Sequence, residues 1–315
     1  MAQHQAARLS LFILVLGAVL VALSPIFVRL SELGPTATAF HRAFLALPIL
    51  FLWLTAGNSA SRERDTDRKE LTRKDFWLLG LAGLFFAGDL ATWHWSITLT
   101  SVANATLFAN SAPIFVTLGA WFLFRERVTP LFLLALAAAL IGTMIVVGSS
   151  FQIDRAHMLG DGVGVVTGMF WAAYQLTVKH LRRRLSAATI MTWSSLVTAA
   201  ALLPLALVSG EELVAPTLYG WGILLALAWL SHAGGQGAIA QALAHLPAGF
   251  SSLVILLEPV VAAFLAWIIL AEPLGPLQAA GGAVVLASIV VARRATKTAG
   301  DDSLVDGENG RSSAS

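Results

Sequence analysis

The 315-residue chain contains no cysteine, so a disulfide framework, a thiol nucleophile and a cysteine-based metal site are excluded. Charge is scarce. Asp, Glu, Lys and Arg make up 12% of the residues, against about 25% in an average soluble domain, while hydrophobic residues reach 57%. Mean hydropathy is +0.77. A core able to hide that much apolar side chain from water is implausible in a chain of this length, so the surface itself must be apolar and its solvent is lipid. The signatures of intramembrane chemistry are missing as well. There is no His-Glu-x-x-His zinc motif and no Gly-x-Ser-x-Gly nucleophile motif. Phe86-Ala87-Gly88-Asp89 supplies only the second half of the Gly-x-Gly-Asp pattern of an aspartyl intramembrane protease. No catalytic residue, cofactor or metal is therefore expected, and the chain does not read as an enzyme.

What remains is a series of ten apolar segments, at about 9–30, 35–56, 75–98, 102–124, 129–150, 159–181, 187–209, 217–242, 247–270 and 274–293. Each is as long as the ~20 residues that cross a hydrocarbon core. The fold class expected is an all-α membrane protein of ten transmembrane helices. A cleaved signal peptide is the alternative for the first segment, but 9–30 is long for such a leader and the repeat described below needs it. Gly and Pro mark the reversals at Gly34-Pro35, Thr129-Pro130 and Gly275-Pro276. The linker from Gly57 to Asp75 is dense in both charge signs and reads as a solvated loop. The tail 294–315 is polar and small, with the composition of a disordered segment.

Basic residues are distributed unevenly. With the N-terminus (1–8) inside, the inner loops and termini hold 17 of the 20 Lys and Arg, and the outer loops hold only Arg155. Arg29 and Arg42 lie within helices. This asymmetry predicts a multi-pass protein of the cell inner membrane with both termini cytoplasmic. It also explains the net charge of +2 and the pI near 9.3 without a nucleic-acid partner.

The chain repeats itself. Residues 101–147 align on 247–293 without a gap at an offset of 146, matching Pro113 with Pro259, Trp121 with Trp267, Glu126 with Glu272 and Pro130 with Pro276. Two halves, 9–150 and 159–293, each of five helices, must insert in opposite orientations because five is odd. Inverted repeats of this kind build two-state transport machines around a midplane site.

Pro113-Ile114-Phe115 through Phe124-Arg125-Glu126, and Leu257-Glu258-Pro259-Val260 through Leu270-Ala271-Glu272, each make a helix with an internal proline that ends on a glutamate. With Phe27-Val28-Arg29-Leu30 and Ala39-Phe40-His41-Arg42, these stretches resemble the EamA family of the drug/metabolite transporter superfamily, over about Leu11 to Val291. The first helix departs from the family in having Ser24-Pro25 where members often carry a Trp-Gly-like pair; Trp171 stands at the comparable place in the second half. The resemblance implies ten helices, alternating access and export of small metabolites.

Candidate site residues are the polar and ionisable groups at membrane depth, which are costly there unless they face protein or water. Asp89 is central in the third segment, with Trp93 on its face at i+4 and His94 about 140° away. Glu258 is central in the ninth, before Pro259, whose missing N–H leaves a carbonyl open. Arg42 needs a carboxylate, carbonyls or water; Asp89 and Glu258 are the acids at hand, and the carboxylate of a solute is the functional alternative. Each acid reads either as a proton or amine site or as a helix-packing partner. Arg29, nearer the surface, can snorkel. Polar-aromatic stripes add Asn110 with Thr106 on the fourth segment, Trp171, Tyr174, Gln175 and Lys179 on the sixth, and Trp229, His232 and Gln236 on the eighth. Such stripes either line a shared cavity or act as interhelical glue. Gly160, Gly164 and Gly168 form a small-residue packing seam. Trp77 and Trp221 sit at segment ends as interface anchors. The fifth and tenth segments are nearly free of polar residues, so they should pack at the periphery, in a monomer or as the contact of a homodimer. The partners expected are a small-molecule substrate and the lipid bilayer. The cargo that would use such a cavity is a small amphipathic metabolite, an amino acid or a related compound. An intramembrane enzyme or a non-transporting membrane protein are the competing classes; neither accounts for two inverted halves with central charges.

Overall fold

The computed structural model describes residues 2–63, 71–100, 102–147, 157–271 and 274–312, and among them every regular element is helical. Ten spans follow in order. The first is α1 (Ala2–Val21) with α2 (Ser24–Leu30), and the second is α3 (Pro35–Phe44) with α4 (Leu47–Glu63). The third is α5 (Arg73–Leu99), the fourth α6 (Val102–Ala109) with α7 (Ala112–Phe124), and the fifth α8 (Pro130–Val147). The sixth is α9 (Met158–Leu181) and the seventh α10 (Ala187–Val208). The eighth runs through α11 (Leu218–Ala226), a π-helical segment (Leu227–Gln236) and α12 (Gly237–Ala242). The ninth is α13 (Ala248–Ile255) with α14 (Leu257–Leu270), and the tenth is α15 (Pro276–Ser312).

Nine of these spans are long and apolar enough, among the described residues, to cross a membrane. The sixth is long enough at 24 residues but falls short of their apolarity, since it carries Asp161, Gln175 and Lys179 and a run of glycines. Helix α15 continues past residue 293 into the polar tail for which composition suggested disorder. A helix already nucleated extends cheaply, one hydrogen bond per residue fixed, through residues such as Ala295 and Lys297.

Packing follows the repeat. The sixth span lies against the third as the first lies against the eighth, while the second pairs with the seventh, the fourth with the ninth and the fifth with the tenth. Exchanging each span with the one five further on leaves this pattern intact. Local backbone obeys it too. Helix α7 ends on Arg125 with φ 56° and helix α14 on Ala271 with φ 55°, left-handed caps that are 146 residues apart. Side chains tie the ends of the spans across the two halves. At one end Glu211 Oε2 accepts from the Ala37 N–H at 2.8 Å and Glu32 Oε1 from the Thr217 hydroxyl at 2.6 Å. At the other end Glu126 Oε1 accepts from the Ala248 N–H at 2.9 Å, and Arg184 pairs with Asp75 at 3.4 Å.

Small residues allow the close crossings. On α9, a Cβ added at Gly164 would lie 2.9 Å from Phe108 Cβ, and one at Gly168 would lie 2.9 Å from the Ala109 carbonyl, so the glycine seam admits the fourth span. The fifth and tenth spans meet at Gly142 and Gly281, where an added Cβ would lie 2.9 and 2.8 Å from the opposite glycine's carbonyl oxygen. Their other faces, including Leu133, Leu134, Ile141, Leu286 and Val290, are exposed and apolar.

Gly142→Leu should force these two spans apart and lower stability by about 1–3 kcal/mol, the usual range for overpacking. Gly80→Leu, at a position where an added Cβ meets nothing within 4 Å, should not. Melting temperatures of the two variants in detergent, against the parent, check this; equal values would contradict the close packing.

Candidate functional site

Backbone irregularity gathers at mid-depth. The first span breaks at Ala22–Leu23 before Pro25, the second at Leu45–Ala46 before Pro48, the fourth at Asn110–Ser111 before Pro113 and the ninth at Leu256 before Pro259. Each proline lacks the N–H that would continue the ladder. The eighth span is wound as a π-helix over Leu227–Gln236. Non-helical backbone at membrane depth persists only where protein buries it or a polar cavity adjoins it, and π-segments are frequent at functional sites.

Between these breaks lies a cluster of charge and aromatic rings. Arg42, 8% exposed on α3, donates from Nη1 to Ser24 Oγ at 3.0 Å, the serine that opens α2. Its guanidinium lies 5.6 Å from the centroid of the Phe86 ring. Phe86 on α5 is the hub: His232 is centred 5.3 Å away, Tyr174 5.0 Å and Trp171 6.1 Å, and the last two stack on each other at 5.5 Å. His232 shares a 2.8 Å hydrogen bond through Nε2 with Ser195 of α10. Asp89, one helical turn beyond Phe86, and Glu258, just past the ninth-span break, are both half-buried. Their charges act on Arg42 and on each other. Among the described residues, neither forms a hydrogen-bonded ion pair with Arg42, whose hydrogen bond goes to Ser24.

Several buried polar atoms around this cluster have no hydrogen-bond partner among the described residues: Arg42 Nε, Gln175 Oε1 and Nε2, His232 Nδ1 and Gln236 Oε1. Buried polar groups are paired in the great majority of cases, so this concentration of unpaired donors and acceptors sets the cluster apart. His94 Nδ1 is in the same condition, and the charges of Arg42 and Glu211 both reach it.

The structure thus brings together Arg42, Asp89, Trp171, Tyr174, His232 and Glu258 of the residues singled out from sequence. Gln175 and Gln236 are almost fully buried on the sixth and eighth spans. Asn110 stands at the fourth-span break. Trp93 is half-buried and meets His94 edge-on at 5.1 Å. Two stripe members face elsewhere. Trp229 is 43% exposed, and its indole N–H donates to the Leu45 carbonyl at 3.0 Å, satisfying backbone at the second-span break. The π-helix is the cause: at roughly 80° per residue instead of about 100°, Trp229 and His232 leave a common face while His232 and Gln236 keep one. Lys179 Nζ donates to the carbonyls of Leu243 and Leu246 at 2.8 and 2.7 Å, capping the end of the eighth span. Sequence reasoning also missed Phe86, Ser24 and Ser195. Phe86 carried one usable signal, its i,i+3 spacing to Asp89.

Known proteins extend this picture. A model of the EamA-like transporter family matches residues 8–148 and 158–294. An uncharacterized transporter of Archaeoglobus fulgidus is 28% identical over 282 residues, covering 89% of this chain and 95% of its own. The pseudopaline exporter CntI of Pseudomonas aeruginosa is 25% identical over 228 residues, covering 72% of this chain and 78% of its own. A solved crystal structure superposes with a TM-score of 0.74 at 18% identity, covering 90% of this chain and 98% of that one, and shows the same fold.

Removing the Ser195 hydroxyl leaves the buried His232 ring without a partner on either nitrogen. Ser195→Ala should therefore cost about 1–3 kcal/mol. Ser252→Ala, which removes a buried hydroxyl that has no partner among the described residues, should be neutral or slightly stabilising. Thermal unfolding of both in detergent checks the pair; equal shifts would contradict the His232 contact.

Proposed function

The chain belongs to the EamA-like transporter family and is a multi-pass membrane transporter, and from that premise we propose that it exports small amphipathic metabolites, amino acids or related compounds, by alternating access. The observation that carries this reading is the buried guanidinium of Arg42 against the ring of Phe86, with the charges of two half-buried carboxylates, Asp89 and Glu258, acting on it. Arg42 offers planar donors for a carboxylate. Asp89 or Glu258 receives an amine. The rings of Phe86, Trp171 and Tyr174 accept an apolar side group, and Gln175 and Gln236 supply amide contacts that orient it. The outward direction is supported by the relative described as a pseudopaline exporter.

Charge balance suggests how the cycle is driven. With all three groups ionised the site carries a net charge of −1 in a low-dielectric space, where charges interact strongly. A proton on one acid cancels it; the ammonium of a cargo molecule takes the proton's place beside that acid while the cargo's carboxylate pairs with Arg42. Proton and cargo then compete for one site, and exchange of one for the other across the membrane drives export. As cargo arrives, its ammonium takes the place of the proton on one acid, which is released, and its carboxylate takes up the donors of Arg42. The end ties made by Glu32 and Glu211 on one side, and by Glu126 and Asp75 on the other, are the contacts that open alternately.

The basic end of the bundle faces the cytoplasm in this scheme, with both termini inside the inner membrane, as the positions of 17 of the 20 Lys and Arg favour. The exposed apolar faces of the fifth and tenth spans suit either lipid contact or a homodimer interface.

In proteoliposomes, Asp89→Asn and Glu258→Gln should abolish amino-acid transport driven by a pH gradient while leaving exchange of bound cargo partly intact. Normal pH-driven rates in both variants would show that these acids are structural and that coupling to protons through them is wrong.

A further inference from the structure

Where the first span begins and the tenth ends, a cleft of about 480 Å³ is lined by Arg8, Leu11, Phe12, Val15 and Arg293. It lies apart from the central charge cluster. Four of its residues come from α1 at i, i+3, i+4 and i+7, so they form one stripe down one helix face. That stripe is headed by an exposed arginine and continues in apolar side chains, with Phe12 65% exposed. Arg293 closes the top of the cleft from α15.

Depth matches the chemistry. Arg8 is the first residue of the first membrane span, Arg8–Leu30, and Arg293 lies close to the end of the tenth, Pro276–Thr296. Both guanidinia are therefore at the level of the headgroups, and Leu11, Phe12 and Val15 lie one to two turns deeper, in the acyl region. Among the described residues no carboxylate pairs with either arginine; the ion pair recorded is Arg184–Asp75, on other helices. Two like charges over an apolar wall, with no acidic partner among the described residues, call for an anion that carries a hydrocarbon tail.

We propose that this cleft binds an anionic phospholipid, with the phosphate held between Arg8 and Arg293 and an acyl chain lying along Leu11, Phe12 and Val15. Guanidinia bind phosphate oxygens through paired donors, and basic residues at the membrane surface favour anionic lipids. A free phosphate has no use for the apolar stripe, and a zwitterionic lipid lacks the net charge. The bound lipid would join the first span of one half to the last span of the other. This inference does not depend on the identity of the cargo.

The test is native mass spectrometry of the delipidated full chain in detergent, titrated with phosphatidylglycerol and with phosphatidylcholine of the same acyl chains. Phosphatidylglycerol should bind preferentially at one saturable site, and millimolar inorganic phosphate should not displace it. The Arg8→Gln/Arg293→Gln variant should lose about 30-fold in phosphatidylglycerol affinity, from about 1 kcal/mol per basic residue with 1.4 kcal/mol a factor of ten. Arg293→Gln alone, expected to lose about fivefold on the same scale, serves if the double variant does not fold. Unchanged affinity in these variants, equal binding of the two lipids, or full displacement by inorganic phosphate would each overturn the proposal.

Discussion

A guanidinium buried at membrane depth is the constraint around which this molecule is organised. Arg42 cannot lose its proton and cannot reach water by snorkelling from mid-span. It is held by the hydrogen bond it donates to Ser24, by the π-face of Phe86 and by the fields of Asp89 and Glu258. Ser24 comes from the first span, Phe86 and Asp89 from the third and Glu258 from the ninth, so these spans and the second, which carries Arg42, must converge on one point. The broken helices follow from the same need. Ser24 becomes available because the first span restarts there, and Glu258 stands beside the ninth-span break. Neutralising one charge therefore shapes backbone as well as side chains.

The inverted repeat supplies the second half of the logic. Equivalent spans pack in equivalent ways, and even the left-handed caps at Arg125 and Ala271 correspond. The contacts at the two ends differ in residue type yet share a plan, in which a side chain at the end of one span satisfies the start of a span in the other half. Glu211 on Ala37 and Glu126 on Ala248 are two cases of that plan at opposite ends. Backbone N–H groups at a helix start are left unpaired by the helix itself, so each glutamate satisfies donors of the span it caps. In the alternating cycle we propose, these matched ties are the contacts that water replaces at the end that opens.

Much of this was legible in the amino-acid sequence, for identifiable reasons. Membrane spans announce themselves because lipid demands long apolar runs, and the repeat shows because Pro113 and Pro259, or Glu126 and Glu272, hold identical offsets. Arg42, Asp89 and Glu258 stand out because a charge in an apolar run is costly anywhere except at a protected site. What stayed hidden depends on contacts between spans or on departures from the α-helical period. Phe86 looks like any apolar residue until the second, sixth and eighth spans place Arg42, Trp171, Tyr174 and His232 around it. Trp229 was grouped with His232 because α-helical spacing was assumed through a segment that is wound as a π-helix. Lys179 continued a stripe by periodicity, but its ammonium is long enough to reach the carbonyls at the end of the eighth span.

The central claim is that the buried cluster around Arg42 is a cargo site reached from one side of the membrane at a time. The natural absence of cysteine makes a direct measurement possible. A Gln175→Cys variant in oriented vesicles can be exposed to a membrane-impermeant thiol reagent from either side, with and without a mixture of amino acids. The account predicts labelling whose sidedness changes when a pH gradient is imposed and which slows when amino acids are present. Labelling from neither side, or labelling from both that is indifferent to the gradient and to amino acids, would contradict it.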